Sequence, residues 1–343
     1  MSNATNDIVP WRDLTDPRRA ATVADLEAGL KDPVFENLEI PEQLGPVTII
    51  VDDHKIKRFA FTQDDHSPWY LQESPFDGAR IGQPALLGND LVQLFTTRYR
   101  ASKTVGLHTE EQMWFDSPVK LGERVTLSGR YSEAYQRRGQ GYVVMEASAV
   151  AEDGRSIIRH RGVEILRTVP GAIGGRGSDT PDKRVTGEVP ANARIIDKVD
   201  RTAHEGDVLK PLSKTITAEQ AAVFSRIGEY VRNIHNDLEI ARAGQLPVLI
   251  VQGQQQAGVV AAFLAQAFGT PWFTDGWFRV KFVAPLDVFD PIEVSGTITA
   301  ITRQSDQRNK VELEVWVRRA SDSRLTTVGW ASCVVPAEPV AYP

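Results

Sequence analysis

A single cysteine, Cys333, in a chain of 343 residues excludes an intrachain disulfide and any metal site built from several thiolates. Its neighbours, Ala331 to Val335, read as a buried strand, so the thiol is expected to be inert. Apolar runs are short: none approaches the roughly 18 residues that a membrane-crossing helix needs. The opening MSNATNDIVPWRDL has neither a basic end nor an apolar core, so a secretory leader is not expected, and a soluble cytoplasmic protein is the expectation. There is no positive excess either. The formal charge of -6 gives no basic footprint for nucleic acid or an anionic membrane. Chemical signatures are also missing: there is no Walker-type loop, no Gly-x-Ser-x-Gly elbow, and no pair of the six histidines at metal-ligand spacing, so no metal is expected. Gly174-Gly175-Arg176-Gly177 does not make a dinucleotide loop, because Pro181 and polar residues follow where a helix would have to begin.

What the chain does have is an organised stretch from Phe224 to Phe268. Arg232 to Asp237 is polar and carries His235, and Asn236 or Asp237 can cap the short helix that Gly244 ends. Pro247 to Val251 is a brief apolar run. From Gln254 onward Val259, Val260, Phe263, Leu264 and Ala267 recur at helical spacing among Ala and Gly, which predicts a helix covered on most sides. Gly253 stands at its start. Free backbone N–H groups there can stabilise an oxygen that becomes negative during reaction, and Gln252 or Gln254 can add a side-chain amide. A histidine just before such a site is suited to moving a proton on the same substrate.

At Ile234-His235-Asn236-Asp237, Ala241, Gly244, Pro247 and Gly253 the sequence resembles the MaoC-like (R)-specific enoyl-CoA hydratases and dehydratases of the hot-dog fold. The resemblance implies an antiparallel sheet wrapped around a central helix, and acid/base addition or removal of water at the double bond of a 2-enoyl thioester. It also implies no redox or metal cofactor, with a CoA thioester as substrate. Five places before His235, where that family has its catalytic aspartate, stands Tyr230, with Glu229 one residue further away. A carboxylate is ionised near neutral pH whereas a phenol, with a pKa of about 10, is not, so Glu229 would serve better as a base and Tyr230 as a hydrogen-bond donor.

The pattern occurs twice. Asp65-His66-Ser67-Pro68-Trp69-Tyr70 lies where the same motif would fall in the first half, keeping the aspartate as Asp65 and replacing the histidine by Tyr70. Phe115-Asp-Ser-Pro118 corresponds to Phe282-Val-Ala-Pro285, and Val125-Thr-Leu-Ser-Gly129 to Ile292-Glu-Val-Ser-Gly296, each 167 residues on, while Tyr70 and His235 stand 165 apart. So constant an offset predicts two copies of one α+β domain, paired within the chain as a double hot-dog. The expected organisation is a helical N-terminal extension over 1–45, a first unit over 46–169, a Gly/Pro/Ser/Thr-rich linker over 170–208 and a second unit over 209–343. Pro84 is read as opening the first unit's central helix, Ala85 to Tyr99, and further homodimerisation is an open expectation.

Candidate catalytic groups are thus His235, Glu229, Tyr230 and, if the first unit contributes, Asp65. Gly253, Gln252, Gln254, Asp237, Tyr70 and Trp69 are candidate substrate contacts or braces, Asp237 chiefly as a cap. Arg242, Arg279 and Lys281 are weaker candidates for binding CoA-type phosphates. Trp69, Phe76, Trp114, Trp272 and Trp277 suggest a bulky acyl group, although core packing explains many of them as well. Two alternatives stay open: a hot-dog thioesterase using Glu110, Glu111 or Asp90, and a non-catalytic acyl-thioester-binding protein.

Overall fold

The computed structural model describes residues 23–104, 106–137, 139–166, 184–225, 231–305 and 307–337. Its eleven strands are β1 (Glu42–Ile50), β2 (Leu107–Phe115), β3 (Arg124–Arg137), β4 (Gln140–Ala151), β5 (Ser156–Ile165), β6 (Ile195–Ile196), β7 (Val208–Lys214), β8 (Gly276–Phe282), β9 (Ile292–Ser305), β10 (Arg308–Arg319) and β11 (Leu325–Pro336). The α-helices are α1 (Val23–Leu26), α2 (Asp53–Gln63), α3 (Pro68–Leu71), α4 (Gly88–Val92), α5 (Ala218–Phe224), α6 (Leu238–Ala243), α7 (Gly253–Phe268) and α8 (Trp272–Asp275).

The strands form one sheet in the order β1-β3-β4-β5-β2-β8-β11-β10-β9-β7-β6. Removing the two-residue β6 leaves five strands on each side of the β2–β8 seam, in mirrored order. The duplication read from the sequence is therefore an internal pair joined edge to edge, which removes the free edges that β2 and β8 would otherwise present. Equivalent residues meet across the pseudo-twofold: Gln112 pairs with Arg279, 167 residues on, and the Phe59 and Phe224 rings lie 6.1 Å apart. Gly129 and Gly296 are also equivalent. A Cβ at either would come within 2.9 Å of a carbonyl on the neighbouring strand, so both copies need glycine for the same close approach.

Helix α7 fills the concave side of the second unit. From Gln254 to Phe268 every residue but Gln266 is buried, because small Ala and Gly positions let sheet and helices close on all sides. The first unit departs from the expected long helix over Ala85 to Tyr99. Only α4 is α-helical there, followed by a 3-10 turn over Gln93–Thr97. The Thr97 hydroxyl donates to the Leu94 carbonyl at 2.7 Å and accepts from Gly45 N–H at 3.1 Å, so side-chain bonds replace the helical ladder. Helix α2, which Asp52 caps through Lys55 N–H at 2.8 Å, buries Ile56, Phe59 and Ala60. It was legible as an i, i+3, i+4 pattern and was not read from the sequence.

Of the expected N-terminal helix, the described part is the four-residue α1, and strand β1 begins at Glu42, ahead of residue 46. Residues 195–196 and 208 within the expected linker pair as β6 and the start of β7. Cys333 is fully buried, and burial pushes its thiol well up, as expected of a core residue.

Candidate functional site

The turn carrying His235 is tied down by its own asparagines. Asn233 N–H donates to Asn236 Oδ1 at 2.7 Å, His235 N–H donates to Asn233 Oδ1 at 2.9 Å, and Asn236 Nδ2 donates to the Val231 carbonyl at 3.0 Å. Asp237 then caps α6, accepting from Glu239 N–H at 3.0 Å and Ile240 N–H at 3.2 Å, and pairs with Arg232. It is a brace, as expected.

The imidazole is fixed by Nδ1, which lies 2.8 Å from the Ile250 carbonyl. A carbonyl only accepts, so Nδ1 carries the proton and Nε2 presents its lone pair. Burial pushes the His235 pKa down to about 4, against the smaller opposing effect of the Ile250 bond, so the ring is neutral at pH 7.

Three residues beyond Ile250, α7 begins at Gly253. Its N-cap, Gln252, makes no side-chain capping bond, and Gln255 and Gln256 N–H groups already turn back to the Gln252 carbonyl at 3.0 and 3.1 Å. The Gly253 and Gln254 N–H groups have no acceptor among the described residues, leaving two donors at the positive end of a 16-residue helix. A Cβ on Gly253 would stand 3.0 Å from the Phe282 ring. Around this start lie buried amide atoms without partners among the described residues: both polar atoms of Gln254, Oε1 of Gln252 and Oε1 of Gln255. Each unmet polar atom costs about 1–3 kcal/mol, so the start of α7 is suited to a polar guest.

The first unit reaches this site through α4. Asn89 accepts from Gln252 Nε2 at 3.3 Å and donates to the Phe224 carbonyl at 3.2 Å, and Gln254 Nε2 lies 2.6 Å from where a Gly88 Cβ would be. Glu229 and Tyr230 lie outside the described residues. Asp65 and Tyr70 are buried, and burial raises both pKa values. Just before their turn, the Thr62 carbonyl accepts from Gln255 Nε2 at 2.9 Å and Gln63 lies against Gly258, while the Trp69 ring is 5.9 Å from Phe273, beyond the last turn of α7. In this unit the residue equivalent to Gly253, 165 places earlier, is Gly88 at the start of α4, where a Cβ would lie 2.5 Å from the Met113 side chain.

Several other candidates sit elsewhere. Arg279 holds Glu110 with two 2.8 Å bonds and Lys281 lies 3.9 Å from the same carboxylate, while the alternating Phe278 and Val280 are buried in the core. Alternation thus puts both cations on the outer face, with the sheet between them and α7. Trp114 and Trp277 share that outer face, and Trp272 is a core residue stacked on Phe268. These aromatics therefore do not line the α7 start. Arg242 is exposed at the end of α6.

One cluster escaped the sequence reading. The inner face of the first unit carries His108, Glu111, His160 and Glu164. Glu111 Oε2 is 3.0 Å from His108 Nε2 and 2.9 Å from His160 Nε2, and His108 Nδ1 is 4.0 Å from Glu164. Burial pushes Glu111 and Glu164 up to about 7 and His160 down to about 4. The two histidines are far apart in sequence and on different strands, so no local spacing announces them. The available signal was period two, which puts Glu111 on the face of Met113 and Phe115. The His108 ring lies 5.3 Å from Phe282, which in turn touches Gly253.

No protein-family model and no curated protein matches the sequence. Solved structures do. A MaoC-like dehydratase, 15% identical, aligns over 88% of this chain and 99% of its own with a TM-score of 0.66. A MaoC domain protein dehydratase from Chloroflexus aurantiacus aligns over 91% and 99%, at 10% identity and a TM-score of 0.67. A conserved double hot-dog protein of Mycobacterium tuberculosis aligns over 89% and 98%, at 14% identity and a TM-score of 0.63. The chain has the α+β double hot-dog fold of the MaoC-like dehydratase structures, as the resemblance in its second half implied. Among the described residues no helix is long and apolar enough to cross a membrane.

Proposed function

We propose that this chain is a hydro-lyase that adds or removes water at the double bond of a 2-enoyl thioester, with an acyl-CoA as the expected substrate. The observation that carries this reading is the alignment of His235 with the α7 start through Ile250, whose carbonyl fixes the imidazole just before two N–H groups that have no acceptor among the described residues. The dehydratase names of the similar structures favour the same class of reaction.

In the hydration direction, His235 Nε2 takes a proton from water as the water oxygen bonds to C3 of the enoyl group. The displaced electron pair moves through C2 onto the thioester oxygen, where Gly253 and Gln254 N–H groups stabilise it. The imidazolium then returns its proton to C2, and the carbonyl reforms. Burial makes that imidazolium a strong acid, which favours the return step. Glu229, Tyr230 or Asp65 remain proposals for a second proton-handling group.

The thioesterase alternative is less well supported. Helix α7 has no carboxylate, Glu110 is held by Arg279 and Asp90 by Lys55 at 2.7 Å. The purified protein is to be tested on short, long-chain and aromatic 2-enoyl-CoA thioesters, following enoyl absorbance and free thiol together. Enoyl loss without thiol, abolished in His235→Ala, is expected. Full activity in that variant, or thiol release, would overturn the assignment, and ligand-dependent stabilisation without turnover would point to a binding protein.

A further inference from the structure

We propose that His108, Glu111 and His160 form a binding site for one divalent first-row transition-metal ion, held by two imidazole Nε2 atoms and a carboxylate oxygen. The two nitrogens stand 3.0 and 2.9 Å from Glu111 Oε2, and the three groups' ligand atoms all lie within 4.8 Å of one another. An ion about 2.0–2.2 Å from each ligand sets neighbouring ligand atoms about 3 Å apart, the spacing that both imidazoles already have to Glu111.

The backbone makes room for it. Gly162 on β5 faces Glu111 on β2, and a Cβ there would lie 2.9 Å from His160 Nε2 and 3.3 Å from His108 Nε2. Any larger residue would intrude among the ligands. The β-bulge between His108 and Glu110 shifts the register of β2 where His108 joins Glu111.

A hydrogen-bonded trio without an ion leaves an unmet group. Glu111 is fully buried, yet its Oε1 has no partner among the described residues. An ion can engage both carboxylate oxygens. Charge is also matched: binding requires neutral imidazoles and an ionised carboxylate, and Glu111 with Glu164 offsets two positive charges. The Glu110 carbonyl accepts from His108 Nε2 at 3.0 Å, so Nε2 carries the proton here; an ion would take that proton's place and leave Nδ1–H facing Glu164, 4.0 Å away. The Glu110 carbonyl, 3.0 Å from His108 Nε2, offers a further oxygen. Mixed nitrogen and oxygen donors suit zinc, iron, cobalt, nickel or manganese rather than calcium or magnesium.

The test uses tag-free, full-length protein stripped by a chelator and titrated with Zn2+ by calorimetry, and with Co2+ by visible absorption. One ion per chain is expected, with a Co2+ ligand-field band and a higher thermal midpoint. Glu111→Gln and His160→Gln are expected to weaken binding at least tenfold and to remove the band, and Gly162→Ala to weaken it with all ligands present. If Glu111→Gln does not fold, His108→Gln makes the same comparison. No heat and no band in the wild type would overturn the proposal. So would stoichiometric binding that the ligand variants leave unchanged.

Discussion

Gly253 is required by the ring of Phe282, and this can be measured as a coupling energy. A Cβ at residue 253 would lie 3.0, 3.0 and 3.2 Å from three carbons of that ring, against about 3.5–4.0 Å at optimal contact. The ring must therefore retreat by about half an ångström or more. The ring is also held by His108, 5.3 Å away in an edge-to-face contact. Overpacking of this kind costs about 1–3 kcal/mol. Alanine also gains up to about 1 kcal/mol of helix propensity over glycine, so the net loss in Gly253→Ala alone is an ambiguous number. A double-mutant cycle with Phe282→Leu separates the two, since propensity appears equally with and without the ring while the clash needs it. A coupling of at least about 1 kcal/mol is expected in urea titrations followed by tryptophan fluorescence and circular dichroism. Additivity within about 0.5 kcal/mol would refute the close-approach argument and with it the account of why glycine opens α7.

Other consequences are open to direct measurement. His235 has a folded pKa of about 4 against an ordinary 6.5, so the folded state binds fewer protons than the unfolded chain between those values. Its contribution is fully present above pH 6.5 and is lost as pH falls toward 4; His235→Gln should flatten the urea midpoint between pH 7.5 and 5 by about 2 kcal/mol, and equal pH slopes would refute it. Leu264→Ala, at a fully buried position of α7, should cost about 2–5 kcal/mol by urea unfolding, and a loss below 1 kcal/mol would contradict the packing described. Arg279→Leu leaves Glu110 without its two-bonded partner across the β2–β8 seam and should destabilise by about 1–3 kcal/mol, with Glu110→Gln in the same chain recovering part of it. No recovery in the double variant would show that the pair's charge is not what matters.

By itself the sequence determined the duplication, the buried α7 and the role of Asp237. Each rests on information local to the chain: a repeated offset, an apolar period covered by small residues, and a side chain that caps the helix it precedes. His235 and Gly253 were legible as neighbours for the same reason, since few residues separate them and a turn must bring them together. Tertiary structure decided the rest. It tied His235 Nδ1 to Ile250, whose carbonyl has no identity in a sequence, and it set Arg279 and Lys281 on the sheet's outer face, a consequence of the β8 register. It shortened the first unit's helix where Thr97 found bonds to Leu94 and Gly45, the latter a partner distant in sequence. It also gathered His108, Glu111 and His160 from two strands. Strand pairing alone brings such residues within 3 Å, because the contacts of a sheet depend on register between segments that the chain does not place side by side.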